Sequence, residues 1–179
     1  MLMQSPGQVY KMKIVTKHKI IYPFLVMGTV YIFIEVLFKA LMGSMVGVLG
    51  IKYLSFVGYT SLWMFIVGAF AGILIGQLNN KPKFYNSKII SQCFIGTVIV
   101  LTLEFASGMI LNVWLHCNLW SYSNLPFNIR GQICLPFAIA WFLLTPLAIW
   151  MDDFLYWIFY NDGKLYSLWS LYKKLILFK

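Results

Sequence analysis

Charge is what this sequence has least of. Only 11% of its 179 residues are Asp, Glu, Lys or Arg, and 61% are hydrophobic. A soluble domain carries roughly a quarter charged residues and about half apolar ones. A chain of one domain's length cannot hide so much apolar surface from water, so the expected solvent is a bilayer. Acidic groups are scarcer still, at five, and Arg130 is the single arginine.

Other absences narrow the chemistry. There is no GxxxxGK[ST], so the chain is not itself a Walker-type ATPase; GxSxG and HExxH are missing too. Three cysteines form no CxxC and no metal-ligand spacing, and the neighbours His116 and Cys117 do not by themselves make a metal site. No metal or cofactor is expected. No short apolar core is followed by a small-residue cleavage site, so the first apolar run is expected to remain as a span. The net charge of +9 lies in short lysine clusters between apolar runs. That pattern belongs beside a membrane, whereas a nucleic-acid domain would show one basic face.

What is present is four apolar runs, at about Ile20–Leu41, Ser61–Leu78, Ile89–Leu111 and Ile133–Met151. Each approaches the ~20 residues that cross a hydrocarbon core as a helix. Lipid demands internally satisfied backbones, and the alternation of a barrel strand is missing, so an all-α bundle of four transmembrane helices is the expected fold. Lysines 11, 13, 17 and 19 precede the first run, and lysines 81, 83 and 88 lie between the second and third. Lysines 164, 173, 174 and 179 follow the fourth, while the other two connections hold only Lys52 and Arg130. The positive-inside rule then puts both termini in the cytoplasm, the protein in the cell membrane and the loop 112–132 outside. Trp114 and Trp120 would mark the outer interface, Trp150 and Trp157 the inner one. Residues 1–19 read as a basic cytoplasmic segment. The tail 152–179 holds an amphipathic helix, with Leu165, Leu168, Trp169, Tyr172, Leu175 and Ile176 opposed to Ser167, Ser170, Lys173 and Lys174, suited to the membrane interface.

Within the spans stand two carboxylates. Burying a charge in a bilayer costs at least ~2.5 kcal/mol on insertion scales, so Glu35 and Glu104 call for partners or a use. Both lie fifteen positions from the cytoplasmic end of their runs, roughly 22 Å up a core about 30 Å thick. Lys39 follows Glu35 by four residues in the favourable order, and Arg130 in the outer loop could reach towards Glu104. One expectation is a substrate-binding or gating site of Glu35, Lys39, Glu104 and Arg130. The alternative is that Lys39 neutralises Glu35 while Glu104 ties helices together. Gly68, Gly72 and Gly76 form a small-residue ridge expected to let helix backbones meet.

The outer loop has turn formers in Asn124, Pro126, Asn128 and Gly131. Trp120, Tyr122 and Phe127 are expected to anchor it, and Cys117 and Cys134 bracket it in a position where a disulfide is conceivable. Asp152 and Asp153 would close the fourth span, solvated or paired with lysines.

Three stretches carry a resemblance: "GYTSLWMFIVGAFAG" at 58–72, "LEFASGMIL" at 103–111 and "LWSYSNLPFNIRGQICLPFAIAW" at 119–141. Together they resemble the bacterial ABC-transporter type IV permease family, also called CmpB. Its pattern sets glycine, serine and tryptophan before one span, a glutamate in the next, then W-D-Y-S, P-F-N, G and I-C-L. Trp120, Tyr122, Ser123, Pro126, Phe127, Asn128, Gly131, Ile133, Cys134 and Leu135 match, and Glu35 falls where the family tends to carry a first-span glutamate. Ser121 departs from the family's usual aspartate. The resemblance covers roughly residues 30–150 and implies a permease-type subunit working with a separate ATPase, with homo-oligomerisation expected because four spans are few for a permease. Two other functions stay open on the residues: a lipid-handling protein or enzyme using a glutamate as acid or base, and a non-catalytic scaffold.

Overall fold

A computed structural model describes residues 6–46, 57–161 and 165–178 of the chain, with side chains from residue 20 onwards except at 42–46. The side chains of lysines 11, 13, 17 and 19, and the whole of Lys52, Lys164 and Lys179, lie outside the described residues.

The protein is all-helical, with four helices long and apolar enough to cross a membrane and one further C-terminal helix. Helix α1 (Pro6–Val46) is far longer than its apolar window, which runs Ile20–Leu41. Helix α2 (Leu62–Asn79) starts at Ser61, whose hydroxyl accepts the Trp63 N–H as an N-cap. The short α3 (Pro82–Tyr85) opens on a proline, which has no N–H to leave unpaired at a first turn. Helix α4 (Ile89–Gly108) runs on into a π-helical turn, Met109–Trp114, where the Leu115 N–H reaches back five residues to the Ile110 carbonyl at 2.9 Å. Helix α5 (Leu135–Tyr160) ends on Asn161 in a left-handed conformation, and α6 (Leu168–Ile176) closes the fold.

The fourth span continues past the aspartates at 152 and 153. They do not end it because both face the bundle: Asp152 is 2% exposed, and Asp153 accepts hydrogen bonds from Asn79 at 2.8 Å and Tyr166 at 2.5 Å. A buried carboxylate held by donors from its neighbours lets the helix continue.

Consecutive spans run antiparallel, so the bundle has a loop end (residues 41–46, 57–61 and 109–134) and a tail end (79–89, 150–161 and 165–178). The α1–α2 seam is close. A Cβ at Gly68 would stand 2.2 Å from the Tyr31 side chain, one at Gly72 2.5 Å from Met27, and one at Gly28 2.7 Å from Phe65. Small residues allow such backbone approach where lipid offers no hydrophobic drive. Gly76, next on the same ridge, faces α5 instead, with Asp152 Oδ1 2.2 Å from where its Cβ would be. The core joins α2, α4, α5 and α6 through Ala71, Ile75, Ile89, Cys93, Val100, Ile149 and Leu171. Large apolar side chains such as Phe33, Leu62, Phe94, Val98 and Ile139 are more than half exposed around the perimeter, an extent of apolar surface that suits lipid and not water.

The C-terminal helix is docked, not free. Leu171 is buried, the Tyr172 hydroxyl donates to the Leu143 carbonyl at 2.9 Å, and the Trp150 indole N–H donates to the Tyr166 carbonyl at 2.8 Å. Trp169 and Ile176 remain about two-thirds exposed on its other side.

Candidate functional site

Both glutamates and their partners lie towards the loop end of the spans. On α1, Glu35 Oε1 receives the Lys39 ammonium at 2.7 Å, and Oε2 accepts the Thr60 hydroxyl from the segment leading into α2. Lys39 Nζ also stands 4.8 Å from the centre of the Tyr59 ring, a cation–π contact. These groups are only partly buried.

Glu104, on α4, is 1% exposed. The Tyr31 hydroxyl of α1, one turn before Glu35, donates to its Oε1 at 3.2 Å. The Tyr31 ring stacks on Trp141 of α5, with centroids 5.3 Å apart. That indole lies within hydrogen-bonding reach of the carboxyl, donor towards acceptor, but Trp141 Nε1 and Glu104 Oε2 stop short of full hydrogen-bond geometry. One acceptor and one donor thus form an incompletely closed pair, deep in an apolar bundle. A leftover of this kind is costly in a dry interior and marks a place to ask about use. An apolar cavity of about 70 Å³ adjoins Tyr31 and Trp141 and is walled also by Met27, Gly68, Gly72 and Thr145, without Glu104.

The 112–132 loop lids this cluster through Tyr122. Tyr122 stacks on Phe137 at 4.5 Å and lies near enough to Glu104 and Glu35 to sense both charges. Burial, seconded by Glu104, holds its phenol well above the ordinary tyrosine range. Arg130 takes a left-handed backbone conformation with its side chain exposed, and among the described residues it joins neither glutamate. The structure brings Glu35, Lys39 and Glu104 to one end and leaves Arg130 on the surface above them.

Two buried amides hold the loop's shape. Asn112, in the π-helical turn, accepts the Leu119 N–H at 2.7 Å and donates to the Trp120 carbonyl and to Gln132 Oε1, at 3.1 and 2.9 Å. Gln132 donates to the Arg130 carbonyl, its own carbonyl accepts the Trp120 indole N–H, and its side chain lies against Gly108, where a Cβ would come within 2.3 Å. Asn128 donates to the carbonyls of Ser123 and Leu125 and accepts the Gly131 N–H. Gly131 is at φ +67°, which a side chain would strain. Trp120 and Tyr122 therefore turn inward as parts of the lid, and Phe127, 80% exposed, is left to face outward. Ser121 bonds Ser123 hydroxyl to hydroxyl at 2.6 Å on the exposed side. Cys117 is exposed and Cys134 buried; these two and Cys93 are all free thiols.

Tyr31, Thr60, Trp141, Asn112 and Gln132 carry no sequence signal of their own. Only the period that stacks residue 31 beneath 35 on one helix face would have suggested the first.

Four helices long and apolar enough to cross a membrane make this a multi-pass membrane protein. Residues 41–171 match the model of a family described as "Putative ABC-transporter type IV", and the chain belongs to that family. No solved structure matches it.

Proposed function

We propose that the protein is a permease-type subunit of an ABC-type transport system in the cell membrane, energised by a separate ATPase, with both termini cytoplasmic and the 112–132 lid outside. Glu35, Lys39 and Glu104 form its substrate-binding or gating site. Arg130, on the surface above, is the first cation an approaching anionic group would meet, and α6 lies at the inner interface with Trp169 and Ile176 in lipid. The observation that carries this reading is the open pair at the bottom of the cluster. Glu104 Oε2 and Trp141 Nε1 are both buried and face each other as a loose pair that falls short of full hydrogen-bond geometry. A substrate hydroxyl placed between them would satisfy both, and a small turn of the indole would let them satisfy each other. Those two arrangements are an occupied state and a closed state of one gate.

The test is Glu104→Gln in the full-length protein, isolated with its ATPase from native membranes. The expected variant folds and assembles, because an amide still accepts from Tyr31, but loses at least ~10-fold of coupled ATP hydrolysis, as the loss of a charged hydrogen-bonding group in a buried site would cause. Unchanged hydrolysis, or no associated ATPase, would overturn the permease reading.

A scaffold is favoured by one observation: Glu35 already has a partner on each oxygen. Its mark would be a Glu104→Gln protein that fails to assemble at all.

A further inference from the structure

A groove of about 310 Å³ runs along one side of α4, apart from the glutamate cluster. Val98, Leu101, Thr102 and Phe105 form its length, and Ile129 and Ile133 of the lid complete its wall. Gln132 packs on Gly108, one turn beyond Phe105, so the two isoleucines stand at the loop end of the groove. The spacing 98, 101, 102 and 105 is one face of a helix. Counted from Ile89, where the apolar run of α4 begins, that face lies roughly 14 to 24 Å up a core about 30 Å thick, in the loop-end leaflet. Val98 and Ile129 are 61% and 54% exposed, and the Thr102 hydroxyl is spent on the Val98 carbonyl at 2.7 Å. The side chains of the groove therefore offer hydrocarbon and no free donor.

Beside its closed end stands the chain's single arginine. Arg130 follows Ile129 directly, so its Cα is about 3.8 Å from that of a groove residue. The turn holding both is tied: the Ile129 N–H donates to the Ile133 carbonyl at 2.9 Å, and the Arg130 carbonyl accepts Gln132 Nε2 at 3.0 Å. Arg130 is exposed, and among the described residues it has no ion pair. Nor does this end of the protein have an acid to spare. Segments 47–61 and 109–134 contain no Asp or Glu, Glu35 is held by Lys39 and Thr60, and Glu104 is buried. A second copy of the chain would bring the same acid-free surface, so the missing anion has to come from elsewhere. A long arginine stem lies along apolar surface with its guanidinium at headgroup level, where it pairs well with phosphate.

We propose that this groove holds one anionic phospholipid of the loop-end leaflet. An acyl chain lies along Val98, Leu101, Thr102 and Phe105 beneath the two isoleucines, and the headgroup phosphate meets Arg130. The proposal needs only that the helices cross a membrane. It uses none of Glu35, Lys39 and Glu104, so the hydrolysis test of Glu104→Gln and the test below fail independently.

The experiment takes the full chain in phosphatidylcholine nanodiscs. These carry a trace of phosphatidylglycerol, or of phosphatidylcholine, with a photoreactive diazirine midway along one acyl chain. After irradiation the labelled peptides are located by mass spectrometry. Residues 98–105 and 129–133 should be labelled at least ~3-fold more by the glycerol lipid, a preference within reach of one exposed charge contact. Arg130→Gln should bring the two lipids level there. Thr102→Phe, which fills the groove from an exposed position, should lower labelling by both. Excess glycerophosphoglycerol, the same headgroup without chains, should leave the labelling unchanged; displacement by it would show an anion site that owes nothing to the groove, and would overturn the proposal. Equal labelling of these segments by the two lipids overturns it too, as does a preference that survives Arg130→Gln or labelling that Thr102→Phe leaves intact. Should either variant fail to fold, the wild-type comparison and the headgroup competition still decide.

Discussion

Acidic groups stand at both ends of this bundle and are satisfied by different means. At the loop end Glu35 meets a cation, Lys39, and a hydroxyl, Thr60, while Glu104 leans on the Tyr31 phenol. At the tail end Asp153 meets only neutral donors, Asn79 and Tyr166, and Asp152 keeps an oxygen with no partner. The loop-end pair is partly open to its surroundings, with Glu35 and Lys39 side chains 18% and 29% exposed, so its charges are softened by solvent and headgroups. Asp153 depends on the docked tail for one of its two donors. Carboxylates in a span are thus stabilised by whatever crosses them at their depth, and at the tail end that includes a segment outside the four spans.

The comparison can be broken at its foundation first. Gly68→Ala should be the most damaging change, because its Cβ meets the Tyr31 side chain in the seam that aims the phenol at Glu104. A loss of about 3 kcal/mol, the upper part of the usual overpacking range, is expected from unfolding in detergent. A loss below about 1 kcal/mol would show that the seam yields and that its closeness does not position Tyr31.

Tyr166→Phe comes next. It removes one of two donors to Asp153 and should cost about 2 kcal/mol, as for a hydrogen bond to a charged group. It should also loosen α6, read as faster proteolysis after Asn161. Tyr166 itself is held above the ordinary tyrosine range by burial and then by Asp153, so the phenol stays a donor through alkaline pH and the tail should not detach there.

Asn112→Ala removes three bonds of the lid and leaves Gln132 and the Leu119 N–H short of a partner. About 1.5 kcal/mol is expected, with amide exchange rising across 117–134 and little change in the tail. Exchange that rises equally at both ends would mean the lid and the tail are not separate units.

The smallest effect belongs to Lys39→Met. A partly exposed i,i+4 pair contributes between about 0 and 1 kcal/mol, and Thr60 still serves Glu35. If Lys39→Met proved costlier than Tyr166→Phe, the contrast between the two ends would be inverted.

Composition and period alone specified the class of protein. Runs of about twenty apolar residues have one stable form in lipid, since a helix satisfies its own backbone, so the all-helical bundle and the further C-terminal helix were legible from Ile20 to Ile176. Glu35, Lys39 and Glu104 were legible as anomalies for the same reason: a charge in an apolar run stands out without any neighbour being known. Their surroundings were not. Tyr31, Thr60 and Trp141 are ordinary residues for a span or its edge, and which of them meets a carboxyl depends on how each helix is rotated about its axis. That rotation is set by contacts such as Gly68 against Tyr31, which no single segment encodes. The same holds for Asp152 and Asp153, which read as a polar end to a span. Asn79 and Tyr166, 74 residues before Asp153 and 13 after it, turn them into a buried pair. Sequence determined what had to leave water; the packing of four helices and a tail decided which polar groups would meet once there.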